Sequence, residues 1–302
     1  MNKKSLSAIL VVAILVLASL AVAIIFLQEK STVTDDRGKS VYFEEAPERI
    51  VSLGSSFTEI IIALNEGERL VGVDYSSAKL EGLPEDVLDL GKTSSLSMET
   101  LIALEPDCVI IWNFNMYGRL INDMEEKGLK VLAFNPKTVD DIMVTMDRIG
   151  TIMGANATAL VDKMQARVDA VVQKTADLTD DQRTKIYLEL ASKGGQTVGN
   201  NTISSELIYM AGGKNIFENG TGYWLADKES IVHSNPQVIV VEDSSTRDEQ
   251  YFRGAYESTD AVKAGQIYFI DAGTLTTSPR VVDALEDLAK WLQPELFPEL
   301  LP

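Results

Sequence analysis

The chain has 302 residues, and its 45 acidic and 27 basic side chains give a formal charge of −18 at pH 7. This balance argues against a nucleic-acid partner, whose phosphates would repel the protein, and it suits a soluble, exported surface. The only cysteine, Cys108, lies inside a strongly apolar run. A buried thiol is therefore expected, and a disulfide framework is excluded.

The first thirty residues differ in composition from the rest. Lys3 and Lys4 precede an uncharged, mostly apolar run over residues 9–27. As a helix, this run would span about 28 Å, close to the thickness of the hydrocarbon core of a bilayer. Two interpretations remain open for residues 1–30: an uncleaved signal anchor, which we favour, or a signal peptide removed after the small residues 21–23. Both place the remainder outside the cytoplasm.

Strand and helix patterns alternate over residues 31–137. Short buried strands are predicted at RIVSL, LVGVD, DCVIIW and KVLAF, with helices between them at SSFTEIIIAL, METLIA and RLINDMEEKG. Alternation of this kind is typical of a parallel sheet covered by helices. We therefore predict an N-terminal α/β lobe over residues 31–137.

The pattern changes over residues 138–180. No strand pattern occurs there, and apolar residues recur at helical spacing from Ile142 to Val171, with a glycine at Gly154. We expect a single long helix that bridges two lobes, with two nearly collinear helices as the alternative. Strand–helix alternation resumes at KIYLEL and predicts a second α/β lobe over residues 181–302.

Two segments, one in each lobe, share a pattern. Residues 97–112 are SMETLIALEPDCVIIW, and residues 227–242 are DKESIVHSNPQVIVVE. Each has a candidate helix cap, then Glu99 or Glu229 in the first turn, an apolar helix face, a proline and a buried strand. The repeated order predicts lobes of similar plan, with the carboxyl ends of their strands facing each other across a ligand cleft.

Several motifs, in chain order, resemble substrate-binding proteins of ATP-driven (ABC) importers, in the class that captures cobalamin, ferric siderophores and haem. They include APERIVSLGSSFTEIIIALNEGERLVGV, METLIALEPDCVIIW, ELIYMAGGKNIF, KESIVHSNPQVIVV and SPRVVDALEDLAKWLQP, and the resemblance covers residues 33–298. It implies an α/β fold of two Rossmann-like lobes with parallel sheets bridged by a single long helix. It also implies a protein that binds a ligand and hands it over without catalysis.

The resemblance assigns roles to four residues. Proteins of this class carry one glutamate on each lobe that forms salt bridges with arginines of a dimeric membrane permease, which works with ATPase subunits. The helix before the strand maps these glutamates to Glu99 and Glu229. Tryptophans of cobalamin binders occupy positions that resemble Trp112 and Trp224.

Further ligand contacts are predicted at the carboxyl ends of strands, where ligands bind in open α/β sheets. Aromatic side chains at these positions suit a large ligand with flat apolar faces. The candidates are Ser55, Ser56, Phe57, Tyr75, Trp112, Asn113, Phe114 and Tyr117 in the first lobe, and Asn200, Tyr223, Trp224 and Glu242 in the second.

No resident metal or cofactor is predicted. One histidine, His233, expected on a helix, and one buried cysteine do not make a zinc site of the usual kind. An enzyme that uses Glu242 and Asp243 as paired carboxylates is the alternative from another class. Adjacent residues of an extended strand point to opposite faces, which disfavours such a pair.

The expected ligand is an intact metal chelate, with a corrinoid slightly preferred over a ferric siderophore or haem. Arg119, Arg247 and Arg253 lie near predicted loops, where they would meet an anionic chelate if they reach the cleft. The choice among the three chelates stays open at this point.

Overall fold

The structure is a computed structural model of the chain, and it describes residues 30–190, 195–243, 245 and 247–300. The strands are β1 Ser31–Thr34, β2 Ser40–Phe43, β3 Ile50–Leu53, β4 Leu70–Val73, β5 Leu88–Asp89, β6 Cys108–Trp112, β7 Val131–Phe134, β8 Thr184–Glu189, β9 Gln196–Val198, β10 Gly213–Asn215, β11 Tyr223–Leu225, β12 Val238–Glu242 and β13 Ile267–Ile270. The helices are α1 Ser55–Ala63, α2 Met98–Ala103, α3 Gly118–Glu126, α4 Val139–Met153, α5 Thr158–Thr175, α6 Ile203–Met210, α7 Lys228–Ser234, α8 Glu249–Ala255, α9 Asp260–Ala264 and α10 Val281–Leu292.

The first lobe is built on a parallel sheet of five strands in the order β5-β4-β3-β6-β7. The four strands predicted from sequence in this lobe are β3, β4, β6 and β7. All residues of β3 and β7 are buried, as expected for strands that helices cover on both faces. The α/β character of the chain and its parallel pairing are therefore confirmed.

The second lobe repeats this plan with a parallel sheet in the order β10-β8-β12-β13. Strand β12 lies between β8 and β13, as β6 lies between β3 and β7 in the first sheet. The helices before these two strands also begin and end alike. Ser97 and Asp227 accept a main-chain N–H as caps. Glu105 and Asn235 both turn the chain at φ +47° before a proline.

The bridge between the sheets consists of two helices, α4 and α5, so the prediction of a single long helix is wrong. Gly154 ends α4 in the left-handed conformation at φ +64°, which interrupts the helical hydrogen-bond ladder. Gly150 allows the chain to fold back closely, because a Cβ there would lie 2.9 Å from the carbonyl oxygen of Ala155.

The main hydrophobic core runs from the first sheet through α4 and α5 to the second sheet and α10. Two smaller apolar clusters cover the other faces of the sheets. On the surface, Arg167 of α5 binds Glu286 of α10 with two hydrogen bonds, of 2.8 and 2.7 Å, and Asp283 with a third of 2.7 Å. The bridge is thus packed against both lobes and is not a free linker.

Within the described ranges, no helix combines the length and the apolar character that crossing a bilayer requires. The predicted anchor at residues 9–27 lies outside these ranges and stays a prediction.

Candidate functional site

A cavity of about 660 Å³ lies between the two lobes, at the carboxyl ends of their strands. This is the edge at which open α/β sheets bind ligands, and the volume suits a small molecule. We call it the ligand cavity. Its lining residues are Ser55, Ser56, Trp112, Phe114, Asn135, Pro136, Lys137, Asn201, Thr202, Ile203, Tyr223, Leu275, Thr276 and Thr277.

One wall of the ligand cavity is a row of aromatic rings that begins in the core of the first lobe. Trp112, at the end of β6, rests on the buried ring of Phe57, with 4.5 Å between the centroids. Phe114 stacks on Trp112 at 5.1 Å with only 6° between the planes, and Tyr117 follows at 6.1 Å. The buried ring of Phe57 holds the row in place, and the half-exposed rings of Phe114 and Tyr117 offer a flat apolar face.

Gly54 makes room for the indole of Trp112. A Cβ at this position would lie 2.4 Å from the ring nitrogen of the tryptophan. Any larger residue would therefore push the ring out of its place.

Tyr223 contributes to the cavity from the second lobe, on the short ribbon that β11 forms with β9. Burial, and to a lesser extent the nearby carboxylate of Glu242, raises the pKa of the Tyr223 hydroxyl, because both disfavour the phenolate. Trp224, the next residue, is not among the lining residues. Its ring packs on Phe217 at 5.8 Å and over Gly220, where a Cβ would lie 2.1 Å away.

Lys137 is the only charged residue among the fourteen that line the ligand cavity. The other polar lining residues carry hydroxyls or amides, and the remainder are apolar. A site of this composition suits a ligand with flat apolar faces and neutral polar groups at its edge, together with at most one or two negative charges.

The structure brings five of the twelve predicted ligand contacts together in the cavity: Ser55, Ser56, Trp112, Phe114 and Tyr223. Phe57 and Tyr117 belong to the aromatic row behind and beside them. The other five lie elsewhere: Tyr75 is exposed beside Lys79, Asn113 lines a smaller cavity, Asn200 lines a polar groove, Trp224 packs in its ribbon, and Glu242 lies near Tyr223.

Sequence reasoning missed two loops that line the cavity. Residues 135–137 directly follow β7, and residues 275–277 come shortly after β13. The rule that located the other contacts, the carboxyl ends of parallel strands, would have located these as well. Neither loop carries aromatic residues, so they did not stand out.

None of the three arginines that were candidates for an anionic chelate lines the ligand cavity. Arg253 pairs with Glu249 within α8, and Arg119 is almost fully exposed. Arg247 binds the buried carboxylate of Glu189 at 2.9 Å. His233 is exposed on α7, on a helix as predicted. Among the described residues, no cluster of three or more metal-ligating side chains occurs.

A salt bridge joins the two lobes next to the cavity. Arg280, at the start of α10, donates to both carboxylate oxygens of Glu59 on α1, at 3.0 and 2.8 Å. These bonds raise the pKa of the guanidinium, and Asp271 adds a contact of 3.2 Å. Beside the pair, the hydroxyls of Thr277 and Ser56 approach each other at 3.4 Å. The lobes are thus held at the cleft as well as by the bridge.

We expect Glu59→Gln to speed ligand dissociation by up to about fivefold, since a partly exposed pair contributes at most about 1 kcal/mol. Stopped-flow measurement of the off-rate checks this. Glu249→Gln removes a pair that lies within one helix, and it should leave the rate unchanged. Equal off-rates for all three proteins would show that the pair has no part in retaining the ligand.

Comparison with known proteins agrees with this geometry. The profile of the family described as "Periplasmic binding protein" matches residues 50–274. The chain belongs to this family. It is a substrate-binding protein of the class that serves ABC importers, and not an enzyme, so the resemblance seen in the sequence is confirmed and the enzyme alternative is excluded.

Two curated relatives match most of the chain. An uncharacterised ABC transporter substrate-binding lipoprotein of Bacillus subtilis is 27% identical over 277 residues, covering 89% of this chain and 87% of the relative. A vitamin B12-binding protein of Vibrio cholerae is 26% identical over 256 residues, covering 82% and 89%.

Solved structures share the fold. Helicobacter pylori CeuE with Ni(II) bound superposes with a TM-score of 0.77 at 20% identity, covering 89% of this chain and 91% of the other. A periplasmic haem-binding protein of Vibrio cholerae has a TM-score of 0.71 at 23% identity, covering 82% and 99%. At these identities the likeness concerns the fold alone.

Proposed function

We propose that this protein captures an intact corrinoid in the ligand cavity, outside the cytoplasm, and delivers it to an ABC permease. The observation that carries the proposal is the stacked pair of Trp112 and Phe114, which lines the cavity together with neutral hydroxyls and amides and is continued beside it by Tyr117. A corrinoid presents a flat macrocycle fringed with neutral amides, which such walls can stack on and hydrogen-bond. Relatives named as vitamin B12-binding proteins support the same ligand.

Haem fits the cavity less well. Haem iron in proteins is held by an axial histidine, cysteine, methionine or tyrosine. Of these types, only Tyr223 occurs among the lining residues, and burial together with Glu242 raises its pKa. The cavity thus offers one candidate axial ligand, and that side chain is more than half exposed.

A ferric siderophore with several negative charges also fits less well. Desolvating a polyanion requires several cations around it, and Lys137 is the only charged lining residue. The cavity therefore lacks the arginine cluster that such a ligand would need.

Glu99 and Glu229 serve delivery in this proposal. Both are exposed in the first turns of short helices that precede equivalent strands, and neither forms an ion pair with any residue in the described part of the chain. A helix that feeds a strand runs opposite to it, so both glutamates lie toward the edge that holds the cavity. Each would dock one lobe onto one half of a dimeric permease.

Titration of the purified protein with cyanocobalamin, haemin and a ferric catecholate tests the choice of ligand. Each bound chelate has its own visible spectrum, and calorimetry gives the three dissociation constants. We expect cyanocobalamin to bind more tightly than the other two. Tighter binding of haemin or of the catecholate would replace the corrinoid assignment.

Trp112→Ala should weaken corrinoid binding by about 1–3 kcal/mol, since a large stacked face is lost. Trp291→Phe is the control. Trp291 lies on α10, outside the ligand cavity, and its ring stacks on that of Tyr268 with 4.7 Å between the centroids. Trp224→Ala should lower the melting temperature and leave the affinity for the corrinoid nearly unchanged, because the Trp224 ring packs within the β9–β11 ribbon. Calorimetry measures the affinity of the three variants, and thermal melting measures their stability. Unchanged affinity in Trp112→Ala would assign this ring to packing alone.

A further inference from the structure

Lys137 stands where three cavities meet. It lines the ligand cavity, a polar groove of about 750 Å³ and a smaller cavity of about 310 Å³. The ligand cavity and the groove also share Asn201 and Thr202, so the two spaces adjoin at the start of α6. A ligand that extends from the aromatic row into the groove would pass Lys137.

The other charged side chains of the groove are occupied by neighbours. The ammonium of Lys214 lies 2.9 Å from Asp180 and 3.6 Å from Glu218. Arg183 donates to main-chain carbonyls of α6 and α5. Glu206 accepts a main-chain N–H at the start of α4, at 2.9 Å. Asp141 also lines the groove, so these carboxylates outnumber the two cations, and each cation is already engaged by a carboxylate or by main-chain carbonyls.

Lys137 differs from them. Its main-chain N–H donates to the carboxylate of Asp141, which caps α4, but its ammonium has no ion-pair partner among the residues that the structure describes. The side chain is exposed, and the neutral groups of Asn201, Thr202 and Ser205 line the groove beside it. The passage therefore offers one available positive charge, beside the carboxylate of Asp141 and neutral hydrogen-bonding groups.

We propose that Lys137 and the groove form a subsite for an anionic arm of the ligand, with a phosphodiester as the group that the ammonium binds. This inference rests on the proposed corrinoid function. A complete corrinoid carries a nucleotide arm joined to its ring through a phosphodiester, whereas a cavity of 660 Å³ is sized for a drug-like molecule. One ammonium matches the single charge of a phosphodiester, and the groove gives the arm a place beside the ring.

Titration calorimetry with cyanocobalamin and with cobinamide, the ring without its nucleotide arm, tests the subsite. The proteins are the wild type, Lys137→Met and Lys163→Met; Lys163 is exposed on α5 and lines none of the three cavities. We expect Lys137→Met to weaken cyanocobalamin binding about fivefold, as for a partly exposed ion pair, and to leave cobinamide unchanged. Added salt should weaken cyanocobalamin binding to the wild type and have little effect on the variant.

The outcomes separate this inference from the function on which it rests. An equal loss for both ligands, no loss for either, or the same loss in Lys163→Met would overturn the subsite and leave the corrinoid function standing. Failure of the wild type to bind either corrinoid would overturn both.

Discussion

The double variant Glu99→Ala/Glu229→Ala should nearly abolish uptake of the ligand by cells, while the purified variant binds the ligand as the wild type does. If the two glutamates dock against arginines of the permease, each alanine substitution removes one partner of a hydrogen-bonded charge pair. Truncating one partner of such a pair costs about 2–5 kcal/mol. Neither side chain lines the ligand cavity, so capture should be unaffected. Uptake of labelled ligand and calorimetry on the same preparations measure the two steps separately.

Glu126→Ala is the matched control, since it removes an exposed acid at the end of α3, away from the repeated helices. Its uptake should equal that of the wild type. A different outcome is expected if Glu99 and Glu229 only stabilise the helices whose first turns they occupy. In that case each substitution removes a favourable interaction with the helix macrodipole of about 0.3–1 kcal/mol, which lowers the melting temperature slightly. Normal uptake by the double variant would refute docking.

Arg247→Met should destabilise the protein by about 3 kcal/mol. Glu189, at the end of β8, is buried, and its carboxylate accepts from Arg247 and from the hydroxyl of Tyr187, each at 2.9 Å. Removing the arginine leaves a buried charge without its cation, which costs far more than the pair itself contributes. Chemical denaturation measures the change in the free energy of unfolding.

Two further variants make this test specific. Arg253→Met removes a more exposed pair within α8, and its cost should stay below about 1 kcal/mol. Adding Glu189→Gln to Arg247→Met removes the stranded charge and should recover part of the lost stability. If the double variant is no more stable than Arg247→Met, the destabilisation comes from lost packing of the arginine, which also lies over the ring of Tyr251 at 4.4 Å.

Motifs in chain order gave the resemblance to the family, and the sequence by itself determined the fold class and the order of the main strands. These follow from local patterns: continuous apolar runs such as CVIIW and VIVVE can only be buried strands here, and the caps at Ser97 and Asp227 act within one turn. The residues at strand ends were predictable for the same reason, because the carboxyl edge of a parallel sheet is set by strand direction alone. Trp112 and Phe114 were found in this way, whereas Tyr223 begins β11 of an antiparallel ribbon.

Only the tertiary structure decided which neighbouring side chain faces the cavity and which charges remain available. Tyr223 and Trp224 are adjacent in sequence, yet the first lines the cavity and the second packs on Phe217, because successive side chains of a strand alternate in direction. The availability of a charge depends on partners far along the chain. Arg247 is bound to Glu189, 58 residues away, while Lys137 keeps its ammonium at the cavity. Such distant pairings leave no local pattern in the sequence, so they become visible only when the chain is folded.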